Sequence, residues 1–141
     1  MPVCYFLGNL PAQSIIVNQT VLVVDDSMLI RHTVCRYLEE QGFAVESATN
    51  GAEALEMLKS MEQPAVIITD LQMPKLDGHQ MIDALKAQPA TARIPIVVLA
   101  ARQSRAEGVS EKRADYVIFK DIEILKQLQH AMEAVVVREV S

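Results

Sequence analysis

Short hydrophobic runs alternate with stretches of helical periodicity along the chain from residue 20 onwards. Continuous runs of β-branched and other apolar residues are typical of strands that are buried on both faces. Apolar residues that recur every three or four positions predict helices that bury one face. The runs predict five strands, at residues 20–24, 44–48, 65–69, 94–99 and 116–119.

A helix is predicted after each of these strands. Ser27 and Asn50 are residue types that cap helix N-termini, and helical spacing follows both of them. The fourth helix is predicted to be short and weak, near residues 104–113. Five alternating strand–helix units predict an α/β fold, a doubly wound parallel sheet with helices on both faces. The last helix is expected to carry its apolar face at Ile122, Leu125, Leu128, Met132 and Val135.

The composition is that of a single globular domain. The chain has 141 residues, of which 50% are hydrophobic and 22% charged, so it can bury a sizeable core. Its net charge of −5 argues against direct nucleic-acid binding, which needs a basic surface. The regular pattern occupies residues 20–137, with a tail at 138–141, and we expect no attached DNA-binding or catalytic domain.

An uncharged, apolar extension at residues 1–19 precedes the pattern, and the first charged residue is Asp25. It lacks the positive region of a secretory signal, and no apolar run is long enough to insert into a membrane. Cys4 and Cys35 are too few for a disulfide framework and are typical of reduced thiols in a cytoplasmic protein. We expect the extension to dock on its own domain or to form a homodimer contact, with a frayed tail as the alternative.

Charged residues follow three of the predicted strands. Asp25 and Asp26 follow the first strand, Asp70 follows the third and Lys120 follows the fifth. In open parallel sheets the functional site lies at the carboxyl ends of the strands, so these side chains are expected to converge. Taken singly, each Asp could be a helix cap and Lys120 a solvated surface charge, but the conjunction favours a site.

Clustered carboxylates repel one another, and a hard divalent cation relieves that repulsion. Mg²⁺ prefers oxygen ligands and is usually shared with phosphate. A carboxylate held beside Mg²⁺ and a lysine can act as a nucleophile toward a phosphoryl group and form an acyl phosphate. The cluster therefore predicts magnesium-dependent phosphoryl chemistry.

Four segments resemble the receiver domain of two-component response regulators. They are VLVVDDS at 21–27, ITDLQMPKLDG at 68–78, IPIVVLAA at 94–101 and DYVIFKD at 115–121. The resemblance covers residues 20–137 and implies the strand order 2-1-3-4-5. It also implies a histidine kinase or phosphotransfer protein as phosphodonor, and an unidentified downstream protein bound by the face of helix 4, strand 5 and helix 5.

The resemblance implies a role for each matching residue. Asp70 corresponds to the phospho-acceptor, and Asp25 and Asp26 correspond to the acidic pair that holds Mg²⁺ together with Asp70. The backbone carbonyl of Gln72 corresponds to a further metal ligand, and Lys120 to the lysine that contacts the phosphoryl group. Loop positions that tune hydrolysis in the family are occupied by Gln72 and Arg102.

Two switch positions depart from the family pattern. Ala100 stands where a Thr or Ser usually contacts the phosphoryl group, and Ser104, four residues on, is expected to be too distant to replace it. Val117 stands where the family has its switch aromatic. Tyr116 is one residue earlier, and a shift of one residue along a strand points a side chain to the other face.

Three functions follow from these residues as hypotheses. The first is a stand-alone receiver that is phosphorylated on Asp70 and signals through protein contacts. The second, motivated by Ala100 and Val117, is a phosphate sink or an interaction module that does not depend on phosphorylation. The third is a magnesium-dependent phosphatase, which we do not favour because Gln72 stands where a second acid–base carboxylate would be needed. We therefore expect no enzymatic turnover beyond self-dephosphorylation.

Overall fold

Five parallel strands form one sheet in the order β2-β1-β3-β4-β5. The structure, a computed structural model, describes residues 19–109 and 111–140. The N-terminal extension except for residue 19 lies outside the described residues, so its predicted docking or homodimer contact stays a prediction. The strands are β1 (Thr20–Val24), β2 (Ala44–Ala48), β3 (Val66–Asp70), β4 (Ile96–Ala100) and β5 (Tyr116–Phe119). The helices are α1 (Met28–Glu40), α2 (Gly51–Leu58), α3 (Gly78–Lys86), α4 (Ser104–Glu107) and α5 (Ile124–Val140).

Two separate cores cover the two faces of the sheet, as the doubly wound fold requires. On one face, side chains of β1, β3, β4 and β5 pack against α1 and α5, with Leu38 and Leu128 fully buried. On the other face, the alternate residues of the same strands pack against α2 and α3, with Met81 and Ile82 fully buried. Of the described helices, none has both the length and the apolar character that crossing a membrane requires.

The strands β3 and β4 begin and end later along the chain than the hydrophobic runs predict. Asp70 and Ala100 are the last residues of β3 and β4, because they still pair with Leu99 and Phe119 of the neighbouring strands. The start of β4 is delayed to Ile96 because Pro95 has no backbone N–H to donate to a ladder.

The last two helices also differ from expectation. The short helix α4 covers only four residues and ends at Gly108, whose φ of 90° favours glycine. Ile122 does not join the apolar face of α5: it precedes the helix and is 99% exposed. The Asp121 carboxylate and carbonyl accept hydrogen bonds from the N–H groups of Glu123 and Ile124, which makes Ile124 the first inward residue instead. Helix α5 then runs to Val140, into the segment expected as a tail.

Candidate functional site

The carboxyl ends of the strands bring three of the predicted residues into direct contact. Asp25 directly follows β1, Asp70 ends β3 and Lys120 directly follows β5. The Lys120 Nζ lies 2.9 Å from Oδ2 of Asp70 and 3.1 Å from Oδ2 of Asp25. Since β4 separates β3 from β5, the lysine side chain reaches across the end of β4, where the residue is the small Ala100.

Asp26 completes a group of three carboxylates. One oxygen from each of Asp25, Asp26 and Asp70 lies within 4.8 Å of the others. Asp25 and Asp70 are buried, whereas Asp26 is exposed at the mouth. Local hydrogen bonds fix the buried Asp25: the Ser27 N–H donates to its carboxylate at 2.8 Å, and the Arg31 guanidinium donates to its backbone carbonyl at 2.9 Å.

The electrostatics of the cluster oppose full ionisation without a further cation. Burial raises the pKa of Asp25, and the nearby Asp70 charge raises it further, while the Ser27 N–H and Lys120 act in the opposite direction. Burial lowers the pKa of Lys120, but its ion pairs with Asp70 and Asp25 outweigh the effect of burial, so the pKa of Lys120 is raised. Lys120 is therefore a fixed positive charge, and one ammonium faces three carboxylates.

The donor set fits a hard divalent cation. Within the described part of the chain, Oδ2 of Asp25 is buried and has no hydrogen-bond partner, although the Lys120 ammonium forms an ion pair with it at 3.1 Å. An unsatisfied buried carboxylate oxygen is costly in a protein interior. A set made only of oxygen donors, partly open to water through Asp26, suits Mg²⁺. Asp25, Asp26 and Asp70 are the residues that could hold it.

A cavity of about 260 Å³ opens beside Asp70 and Lys120. The Gln72 N–H donates to the second Asp70 oxygen at 3.4 Å, so this loop approaches the acceptor directly. The other residues that line the cavity are Leu71, Leu99, Ala100, Ala101 and Ser104.

The remaining predicted residues lie outside this cavity. Arg102 lines a separate surface depression with Arg105 and Asp121. Val117 packs on the sheet face covered by α2 and α3, whereas Tyr116 packs on the opposite face with α1 and α5. The strand therefore points Tyr116 away from the face that carries Val117, as the pattern predicts.

Sequence reasoning missed two contacts around the site. It placed Ser104 too far away, although the turn after β4 brings this residue to the cavity. It also missed the ion pair between Arg105 of α4 and Asp121, at 2.8 Å. The available signal was the acidic residue directly after Lys120, with a basic residue in the short helix before it.

Comparisons with known proteins agree with this architecture. A family model described as a response regulator receiver domain matches residues 21–133. A gliding motility regulatory protein of Myxococcus xanthus is 36% identical over 112 residues, which are 76% of this chain and 14% of that protein. The response regulator MprA of Mycobacterium ulcerans is 40% identical over 90 residues, 64% of this chain and 38% of that protein. The chain thus spans well under half the length of these relatives.

Solved structures share the fold over most of the chain. The chemotaxis response regulator CheY4 of Vibrio cholerae superposes with a TM-score of 0.69 at 29% identity, covering 83% of this chain and 98% of that one. The response regulator TrrA of Thermotoga maritima, solved in complex with Mg²⁺ and BeF, gives a TM-score of 0.72 at 25% identity, covering 84% and 99%.

Proposed function

Because this chain belongs to the response regulator receiver domain family, we propose that it accepts a phosphoryl group on Asp70 from the phosphohistidine of a histidine kinase or phosphotransfer protein. The observation that carries the proposal is the Lys120 ammonium, held at 2.9 Å from Asp70 and 3.1 Å from Asp25 within a group of three carboxylates. A lysine so held is oriented for a group bonded to Asp70.

The chemistry of the step is a simple displacement at phosphorus. An Asp70 carboxylate oxygen forms a bond to phosphorus, the bond from phosphorus to the imidazole nitrogen breaks, and its electron pair stays on the ring. Lys120 donates hydrogen bonds to the oxygens of the phosphoryl group during transfer and keeps the Asp70 carboxylate oriented. When bound by Asp25, Asp26, Asp70 and the Gln72 carbonyl, Mg²⁺ supplies further positive charge against those oxygens.

Intact-mass measurement after incubation with Mg²⁺ and acetyl phosphate tests the acceptor. We expect the wild type to gain one phosphoryl group and Asp70→Asn to gain none. Asp83→Asn is the matched control, because Asp83 is an exposed carboxylate on α3, 68% accessible, and should leave uptake unchanged. Equal failure of all three proteins would reject the proposal. We expect no turnover of phosphate esters, since Gln72 provides no second carboxylate beside Asp70.

We further propose that the signal leaves through the face formed by α4, β5 and α5. Asp121, which directly follows Lys120, pairs with Arg105 of α4 at 2.8 Å. The Arg105 guanidinium also lies 4.4 Å from the centroid of the Phe119 ring at the end of β5. Lys120 contacts Asp70 at 2.9 Å, so a change of charge at Asp70 would be transmitted through Lys120 to the contacts that hold α4, beside the fully exposed Ile122.

A second candidate function is favoured by the absence of side-chain donors at Ala100 and of an aromatic ring at Val117. It is an interaction module, or a phosphate sink, whose partner binding does not depend on the state of Asp70. A partner captured with the unmodified protein would then bind equally well with and without beryllofluoride. A large change in affinity on adding beryllofluoride would reject this candidate.

A further inference from the structure

The cavity beside Asp70 contains few side chains that can donate hydrogen bonds. Four of its lining residues are Leu or Ala, and Asp70 is itself the acceptor of the phosphoryl group. A phosphoryl group adds three strong acceptor oxygens. Lys120 already directs its ammonium toward Asp25 and Asp70. Among the described residues that line the cavity, this leaves Gln72 and Ser104 as the other side-chain donors.

Ser104 is well placed for this role. It is the first residue of α4, and the turn after β4 is closed by its N–H, which donates to the Ala101 carbonyl at 2.9 Å. This turn brings Ser104 back over the end of β4, so that it lines the same cavity as Asp70 and Lys120. Its side chain is half-buried, and its hydroxyl has no hydrogen-bond partner among residues 19–109 and 111–140.

The neighbouring residue anchors α4 in this position. Arg105 pairs with the Asp121 carboxylate at 2.8 Å and stacks on the Phe119 ring at 4.4 Å. Asp121 in turn accepts hydrogen bonds from the Glu123 N–H and the Gln127 amide of α5, both at 3.0 Å. The short helix is thus tied to the end of β5 and the start of α5, which holds the backbone of Ser104 beside the cavity before a phosphoryl group arrives.

We propose that Ser104 binds the phosphoryl group on Asp70 by donating its hydroxyl hydrogen to a phosphoryl oxygen, a contact that Ala100 cannot make. The inference rests on the proposed function, since it requires a phosphoryl group at Asp70. The hydroxyl forms a hydrogen bond only, and no covalent bond is made or broken at Ser104. Such bonds to charged groups contribute enough that their loss weakens binding about 10- to 100-fold.

Beryllofluoride in the presence of Mg²⁺ is the probe, and fluorine NMR reads its dissociation constant directly. Ser104→Val and Ser104→Thr have side chains of nearly the same shape, and only the second keeps a hydroxyl. We expect the dissociation constant to rise about 10- to 100-fold in Ser104→Val and Ser104→Ala and to stay near the wild-type value in Ser104→Thr. Gln103→Ala, an exposed change at the adjacent position, should have no effect.

Thermal unfolding of each variant separates a lost hydrogen bond from a displaced helix, because Ser104→Val and Ser104→Thr should unfold at similar temperatures. Equal beryllofluoride affinity in these two variants would overturn the role of Ser104. The acceptor proposal would survive that result if Asp70→Asn alone failed to bind the probe. If the wild type failed to bind it as Asp70→Asn does, both the acceptor and the Ser104 proposals would fall.

Discussion

At the scale of single residues, position relative to a strand end decides which side chains form the site. Asp25, Asp70 and Lys120 are predicted to converge because each stands at the end of a continuous apolar run. In the structure, both carboxylates lie within 3.1 Å of the Lys120 ammonium. Neither Asp nor Lys is found buried without a partner, so mutual pairing also accounts for their low exposure. This part of the site follows from the pattern of the sequence.

The position of Ser104 beside the cavity could not be predicted in the same way. The residue lies four positions beyond the end of β4, and whether a loop of that length returns to the cavity depends on its turn geometry. The sequence 101–103 carries no Gly or Pro that would specify the turn. The bond from the Ser104 N–H to the Ala101 carbonyl fixes the turn, and it is a property of the folded backbone.

Gly78 is required by the close approach of α3 to the end of β3. A methyl group built on it would overlap the Asp70 carbonyl oxygen and lie 2.8 Å from the Leu71 Cα, both of them backbone atoms that cannot turn aside. We expect Gly78→Ala to lower the free energy of unfolding by about 1–3 kcal/mol, although alanine is the better helix former. Urea denaturation measures the change, and an unchanged midpoint would show that α3 can move away from β3.

At the scale of elements, the alternation of strands and helices is predictable, and the ends are less so. The bounds of β1, β2 and β5 agree with the bounds that the sequence pattern predicts. The ends of β3, β4 and α4 depend on pairing with neighbours, on Pro95 and on Gly108. Periodicity carries no information about those partners.

An ion-pair network links α3 to the segment before β5. The Glu111 carboxylate, 3% exposed, accepts hydrogen bonds from the Arg113 side chain at 2.8 and 2.9 Å and lies 3.0 Å from His79 of α3. Arg113 also pairs with Asp83 of α3. Chiefly because of Arg113, the pKa of Glu111 is lowered to about 2 from its usual 4.5.

The lowered pKa gives this network a defined pH dependence. A carboxyl group with a depressed folded-state pKa stabilises the fold above its unfolded pKa, and that stability is lost as the pH falls from about 4.5 to about 2. A shift of this size corresponds to about 3 kcal/mol. The free energy of unfolding of Glu111→Gln at pH 7 should therefore be lower than that of the wild type by about 3 kcal/mol. The difference from wild type should shrink between pH 5 and pH 2.

Urea unfolding at several pH values measures this difference. Glu62→Gln is the control, since Glu62 is exposed, and it should track the wild type at every pH. If the gap between wild type and Glu111→Gln were constant from pH 7 to pH 2, the ionised Glu111 would not be the stabilising group.

At the scale of the whole molecule, pairing order is what joins the residues into a site. The sequence pattern predicts a parallel sheet, the resemblance to receiver domains implies the order β2-β1-β3-β4-β5, and the structure confirms that order. This order places the ends of β1 and β3 side by side, with β5 one strand beyond β4. The same order gives each sheet face its own core, so the site sits on a scaffold supported from both sides.

The excess of negative charge at the site predicts that a bound Mg²⁺ ion would stabilise the whole domain. Three carboxylates face one ammonium, and a ligand that binds only the folded state stabilises it by mass action. At Mg²⁺ concentrations about tenfold above its dissociation constant, we expect about 1.4 kcal/mol of stabilisation, a rise of roughly 3–5 °C in the unfolding midpoint. Differential scanning calorimetry with NaCl at matched ionic strength as the control measures this.

Asp26→Asn gives the sharper form of the same test, because Asp26 is exposed and its loss leaves the core intact. Without metal, this variant should unfold at the wild-type temperature or above it, since one repulsive charge has been removed from the cluster. With Mg²⁺, its midpoint should rise less than that of the wild type, since one ligand is missing. An equal rise in both proteins would mean that the cation binds elsewhere on this acidic molecule, and the carboxylate cluster would then require another explanation.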